Sequence, residues 1–143
     1  MKHYIETKVT YDTVDNNGAS KRASELLVVS ADSFTEAEAR IAKQFEPSMG
    51  GLSVVAVRKS NIAEVWPRAV GEVSAADRWY KAKLVFISID ERTMREKRAA
   101  SHYLVQGVSV AEALDCINYH MRGTVADFEV VAIAESGITD IYD

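Results

Sequence analysis

Bases interleaved with aromatic rings form the part of this sequence best suited to chemistry. Between residues 78 and 98, Arg78, Lys81, Lys83, Arg92, Arg95, Lys97 and Arg98 stand against only Asp90, Glu91 and Glu96, with Trp79 and Tyr80 inside the run. Such a pattern suits a phosphate-bearing ligand. Guanidinium groups grip phosphate through paired N–H donors, and an aromatic ring stacks on a base. The candidate ligand-binding residues are therefore Arg78, Trp79, Tyr80, Lys83, Arg95, Lys97 and Arg98, joined from earlier in the chain by Lys8 and Arg22. The plainer reading of the same residues is that alternating lysines guard strand edges while Trp79 plugs a core.

A second pair, Cys116 and His120, stands four residues apart in a helical stretch, a spacing that can present two metal ligands on one face. A zinc site needs two more ligands, and His3 and His102 are the only other histidines. As a nucleophile and base the pair lacks an orienting group, because Asp115 points about 100° away around the helix. No GxxxxGK[ST], GxGxxG, HExxH or GxSxG signature occurs. Glu36 and Glu112 are assigned to helix capping, and Gly50-Gly51 to a loop between helix and strand. The expectation is a protein that is not an enzyme and holds no cofactor or metal.

Composition sets outer bounds. A chain of 143 residues fits one compact domain or two small ones sharing a core. At 48% hydrophobic and 27% charged, with two prolines, it is globular rather than disordered. Seventeen Lys+Arg against 21 Asp+Glu, a net charge of -4, excludes a general nucleic-acid glue. The charge is nevertheless segregated: from Glu112 to Asp143 the one base, Arg122, faces seven acids. A single cysteine excludes an intrachain disulfide. No apolar run approaches the roughly 18 residues that span a bilayer. The opening MKHYIETK has no apolar signal core, which points to the cytoplasm and away from membranes.

The elements that must carry these residues come in two similar sets. His3 to Tyr11 lies over Arg78 to Phe86 at an offset of 75, and from Glu25 to Trp66 an offset of 76 gives 10 identities in 42 gapless positions. Val29/Val105, Ser33/Ser109, Ile41/Ile117 and Val54-Val55-Ala56/Val130-Val131-Ala132 are among them. Each set opens with an alternating strand, Tyr4 to Tyr11 in the first, followed by a turn such as Asp15-Asn16-Asn17-Gly18 and a second strand, Glu25 to Ala31. Ser33-x-x-Glu36 and Ser109-x-x-Glu112 then read as capping boxes that start helices. The helices carry Phe34, Ala37, Ile41 and Phe45, or Val110, Ala113, Ile117 and Met121, on one face. Leu52 to Arg58 with Ile62 to Trp66 closes the first set as one bent strand or two short ones. Phe128 to Ala134 with Ile138 to Tyr142 does so in the second. The expected architecture is α+β: two tandem β-β-α-β(β) repeats, 1–66 and 78–143, joined by a linker at 67–77. They would form one compact unit about a pseudo-twofold axis, with helices covering antiparallel sheet. Sheet edges left over would favour a homo-oligomer.

Ser33 to Ile41, Arg78 to Lys83 and the ending from Ile133 through Asp140 resemble a family of short uncharacterised proteins encoded by Bacteroidota and by their phages and prophages. The resemblance covers nearly the whole chain and departs mainly in the linker, which is longer and more apolar here. It implies a viral or mobile-element setting and lends no activity or catalytic residue. In that setting the residues point first to a binding protein that sequesters a phosphate-bearing small ligand, such as a nucleotide immune signal, as an anti-defence device in the host cytoplasm. On this reading, alanine at Arg78 and Arg98 abolishes binding. The competing readings are an inhibitor of a host protein that uses the acidic face, and an accessory protein for single-stranded nucleic acid.

Overall fold

The computed structural model describes residues 3–45, 50–69 and 71–143. Two long hairpins dominate it. Alternating polar and apolar residues pair β1 (His3–Val14) with β2 (Ser20–Ala31) antiparallel, from His3 opposite Ala31 to Val14 opposite Ser20. The turn is held by the Asp15 carboxylate, which accepts the Asn17 and Ala19 N–H groups at 2.9 Å each, and by Gly18 at φ +80°. In the same way β5 (Arg78–Ile89) pairs with β6 (Glu96–Gly107), from Arg78 opposite Gly107 to Ile89 opposite Glu96. Asp90 organises that turn, and Met94 occupies its left-handed position at φ 57°.

A helix follows each hairpin, α1 (Phe34–Phe45) and α2 (Val110–His120). Both N-caps form as expected on the serine side. Ser33 Oγ accepts the Glu36 N–H at 3.1 Å, and Ser109 Oγ accepts the Glu112 N–H at 3.2 Å. The glutamates differ. Glu36 turns back to accept the Asp32 N–H, whereas Glu112 is taken by Arg68 at 2.6 Å. The expected apolar faces are narrower than drawn, because Phe34 and Val110 stand at the first helical turn and remain about half exposed. The side chain of Phe45 lies outside the described residues.

After each helix comes a long strand and then a short one. These are β3 (Gly50–Lys59) and β4 (Ile62–Trp66), then β7 (Asp127–Glu135) and β8 (Ile138–Tyr142). Gly50, expected in a loop, opens β3 instead. The long strands stay with their own hairpins, and β3 pairs β1 while β7 pairs β5, both antiparallel. Each carries a bulge, at Val55 and Val131, where the register slips past Lys8/Val9 and Lys83/Leu84.

The short strands cross over. Sheet order is β3-β1-β2-β8 in one unit and β4-β6-β5-β7 in the other. Residues 1–60 and 138–143 make the first unit and residues 61–137 the second. The chain therefore crosses at Ser60–Asn61 and again at Ser136–Gly137, and each crossing delivers a strand that completes the sheet it enters. The sequence boundaries at 66 and 78 follow chain order, while the units in space are cut at these crossings. Both donated strands lie parallel to their neighbours, β8 to β2 and β4 to β6, so each sheet is mixed rather than purely antiparallel.

Each unit has its own core between sheet and helix. In the first, Ile5, Val9, Leu27, Val29, Ala31, Ala37 and Ile41 are buried together, with Tyr142 of β8 packed against them. In the second, Trp66 of β4 joins Tyr80, Leu84, Tyr103, Val105, Cys116 and Ile117. Trp66 is stacked between Tyr103 at 4.3 Å and His120 at 5.0 Å, which fixes the donated strand by its largest side chain.

One buried group is left unsatisfied. Thr7 is 0% exposed, and its hydroxyl has no hydrogen-bond partner among the described residues. Thr7→Val keeps the shape and β-branching while deleting the stranded hydroxyl. It should stabilise the protein by about 1 kcal/mol, seen as a rise in Tm of about 3–5 °C. An unchanged or lower Tm in a thermal melt would contradict this.

Candidate functional site

The register of the β5–β6 hairpin decides which of the basic residues meet. Side chains alternate across a strand, so Tyr80, Ala82 and Leu84 enter the core while Trp79, Lys81 and Lys83 share the opposite face. Tyr80 is 4% exposed and is a core residue, so its ring has no open face for stacking. Trp79 is half-buried and keeps its place beside the lysines. Lys83 stands directly opposite His102 on β6, and Lys81 is opposite Leu104. On the other side, Lys81 and Lys83 face Ala134 and Ala132 of β7, two small exposed residues, so this face is accessible along its β7 side, whereas Leu104 and Val85 on the same face are buried.

The arginines behave differently. Arg78 bonds Glu135 at 2.7 Å, and Arg98 bonds Glu129 at 2.6 Å with Glu96 at 3.4 Å. Each guanidinium is pushed above its ordinary pKa by the hydrogen bond to its first-named glutamate. Lys97 lies 3.5 Å from Asp90. Arg95 is exposed just before β6, its backbone bonded into the turn. In the first unit Arg22 bonds Asp12 at 2.8 Å and Thr10 at 3.0 Å, and Lys8 is exposed. Of the nine expected residues, the second sheet thus brings Trp79 and Lys83 onto one partly accessible face and buries Tyr80. Arg78, Lys97 and Arg98 in that sheet, and Arg22 in the first, are held on carboxylates.

Lys81, counted in the basic run but not among the candidate ligand-binding residues, joins this face, and so does His102. Lys81 has the same strand parity as Lys83, a signal that alternation alone offers. His102 needed the hairpin register. Among the described residues, no carboxylate lies within ion-pair range of Lys81, Lys83 or His102. Burial first, and then the charges of Lys81 and Lys83, hold the His102 imidazole below the ordinary pKa.

A second concavity, of about 200 Å³, lies in the same unit and is lined by Arg68, Gln106, Glu112, Asp115, Cys116 and Tyr119. Its charges are mostly engaged. Arg68 forks onto both oxygens of Asp77, Nε at 3.1 Å, and reaches Glu112, which ties Arg68 and Asp77 to the start of α2. The Arg68 guanidinium holds the Asp77 carboxyl below the usual range, helped by the Ser74 N–H at 2.7 Å. The Cys116 thiol donates to the Pro67 carbonyl at 3.4 Å, and burial pushes its pKa up. A thiol so placed stays protonated at neutral pH and is a poor nucleophile. His120 is engaged on Trp66 as described above, so the helical spacing of Cys116 and His120 is accounted for by packing.

The family of this fold can now be stated. A model described as "Domain of unknown function (DUF4494)" matches residues 3–143. The chain belongs to the DUF4494 family. No curated protein matches it. Among the described residues, no helix is long and apolar enough to cross a membrane.

The lowered pKa of His102 has a measurable consequence. The unfolded chain binds this proton more readily than the folded one, so stability is full above about pH 6.5 and is lost as pH falls through the lower folded-state value. His102→Gln should therefore flatten the fall of Tm between about pH 7 and pH 5. Parallel curves for the two proteins would show that His102 carries no such load.

Proposed function

We propose that this protein binds a phosphate-bearing small ligand, a nucleotide signal in class, along the accessible β7 side of the Lys81–Lys83 face of its second sheet and holds it without turning it over. The observation that carries this reading is the convergence of Lys81, Lys83 and His102 with no carboxylate partner among the described residues, beside exposed Ala132 and Ala134. Alternate residues on a strand are about 7 Å apart, a spacing that lets two ammonium groups take neighbouring phosphates. Trp79 lies on the same face next to Lys81 and offers a stacking surface for a base. Arg78, Lys97 and Arg98 already hold acids, so they shape the field around the site while the lysines grip the ligand.

The same reading takes the chain as two tandem repeats related by a pseudo-twofold. What supports it is that the hairpin registers, the bulges at Val55 and Val131 and the donated-strand pairings correspond at the offsets of 75 and 76, although β3 carries a second register shift, between Thr10 and Asp12, that β7 lacks. On that correspondence Glu6, neutralised by Arg58 at 2.6 Å, stands where the second repeat has Lys81, and Arg58 stands where it has Ala134. Ligand binding is thereby assigned to the second repeat alone. A mobile-element origin and a role in the host cytoplasm belong to the same proposal, supported by the family resemblance.

Calorimetric titration against pyrophosphate, nucleoside triphosphates and cyclic dinucleotides tests the assignment. Truncating either lysine should weaken binding at least about tenfold, so Lys81→Ala/Lys83→Ala should weaken it about a hundredfold or more, while Arg78→Ala/Arg98→Ala moves affinity far less. Affinity should also fall with added salt, and the ligand should be recovered intact. A double lysine variant that binds like the parent would overturn the site.

A further inference from the structure

The two crossings make each unit an acceptor for a strand, and they are not alike. In the second unit, β4 is gripped by the Tyr103–Trp66–His120 stack. In the first, β8 is held without such a stack, through buried Ile138 and contacts toward its end. Tyr142 packs at the edge of the core, the Thr139 hydroxyl donates to the Leu26 carbonyl at 3.3 Å, and the Tyr4 hydroxyl reaches Asp143 at 3.5 Å. The hinge that delivers β8 is Ser136–Gly137, with Gly137 at φ +76°, a conformation that L-residues adopt at a cost. A strand of five residues on a two-residue hinge is short enough to be exchanged as one piece.

We propose that the slot beside β2 is also an interaction surface for a second copy of this chain, which fills it with its own residues 138–142 to give a strand-swapped dimer. The occupant follows from the slot itself. It already fits Ile138, Ile141 and Tyr142 in parallel register with Leu26, Val28 and Val29, and a second copy presents the identical segment. Exchange leaves the packing within each slot unchanged, so hinge strain and protein concentration weigh on the balance between monomer and dimer.

The hinge is open to a clean test. A Cβ added at Gly137 would meet no atom within 4 Å, so Gly137→Ala strains the closed hinge through its backbone and not through a clash. The full-length protein, Gly137→Ala and a variant with three glycines inserted after Gly137 are refolded at micromolar and near-millimolar concentration and sized by light scattering. A dimer fraction that rises with concentration is expected. The dimer-to-monomer ratio should increase roughly fivefold or more in Gly137→Ala and decrease in the extended hinge. Monomer under every condition would overturn the proposal. So would a dimer whose amount ignores both hinge changes, which would mark ordinary edge pairing.

Discussion

A sheet strand with one free side needs a partner for its backbone, and in this chain β2 and β6 find theirs only across a crossing. The hairpin, helix and long strand of each unit leave the outer side of the second strand unpaired. A five-residue strand arriving through Ser60–Asn61 or Ser136–Gly137 closes that side. The closing strands also bring core residues with them, Trp66 to one unit and Ile138 and Tyr142 to the other. Neither core is complete without the donated segment. The crossing is thus the constraint on which both sheets depend, and it ties the folding of the two units together through covalent geometry.

Once the second sheet is closed, its register sorts the charges. Strand β5 lies between β6 and β7, so every outward side chain on it has neighbours on both sides. Arg98 reaches Glu129 across that strand, and Arg78 meets Glu135 at its end. Lys81 and Lys83 meet alanine on one side and Leu104 and His102 on the other. The basic run therefore separates into arginines held on carboxylates and lysines without one among the described residues, while burial first, and then those lysine charges, lower the pKa of His102. Exposed ion pairs of this kind add little to stability, and their larger effect here is to decide where the potential is positive.

Local features were the legible ones. Alternation marked β1 and β5, Asp15 and Gly18 marked a turn, and Ser33 and Ser109 marked helix starts, because each acts over three or four residues. What depended on distant partners was hidden. Glu112 reads as a capping residue until Arg68, 44 positions earlier, takes its carboxylate. Ile62 to Trp66 looks like the same strand whichever sheet receives it, so its destination was invisible. Tyr80 was a different case. Trp79 and Tyr80 are adjacent and must point to opposite faces, and the apolar residues at Ala82 and Leu84 already placed Tyr80 inside. The site was half legible: Lys83 and Trp79 came from the charge pattern, while His102 required the hairpin pairing and the neutralising glutamates required β7.

The most direct measurement of the central claim is a two-dimensional amide NMR titration of the isotope-labelled protein with inorganic pyrophosphate. The account predicts saturable shifts centred on Lys81, Lys83, His102 and the facing Ala132 and Ala134, with Arg78, Lys97 and Arg98 moving little. Shifts centred on the arginines, or spread without saturation over every basic residue, would contradict it.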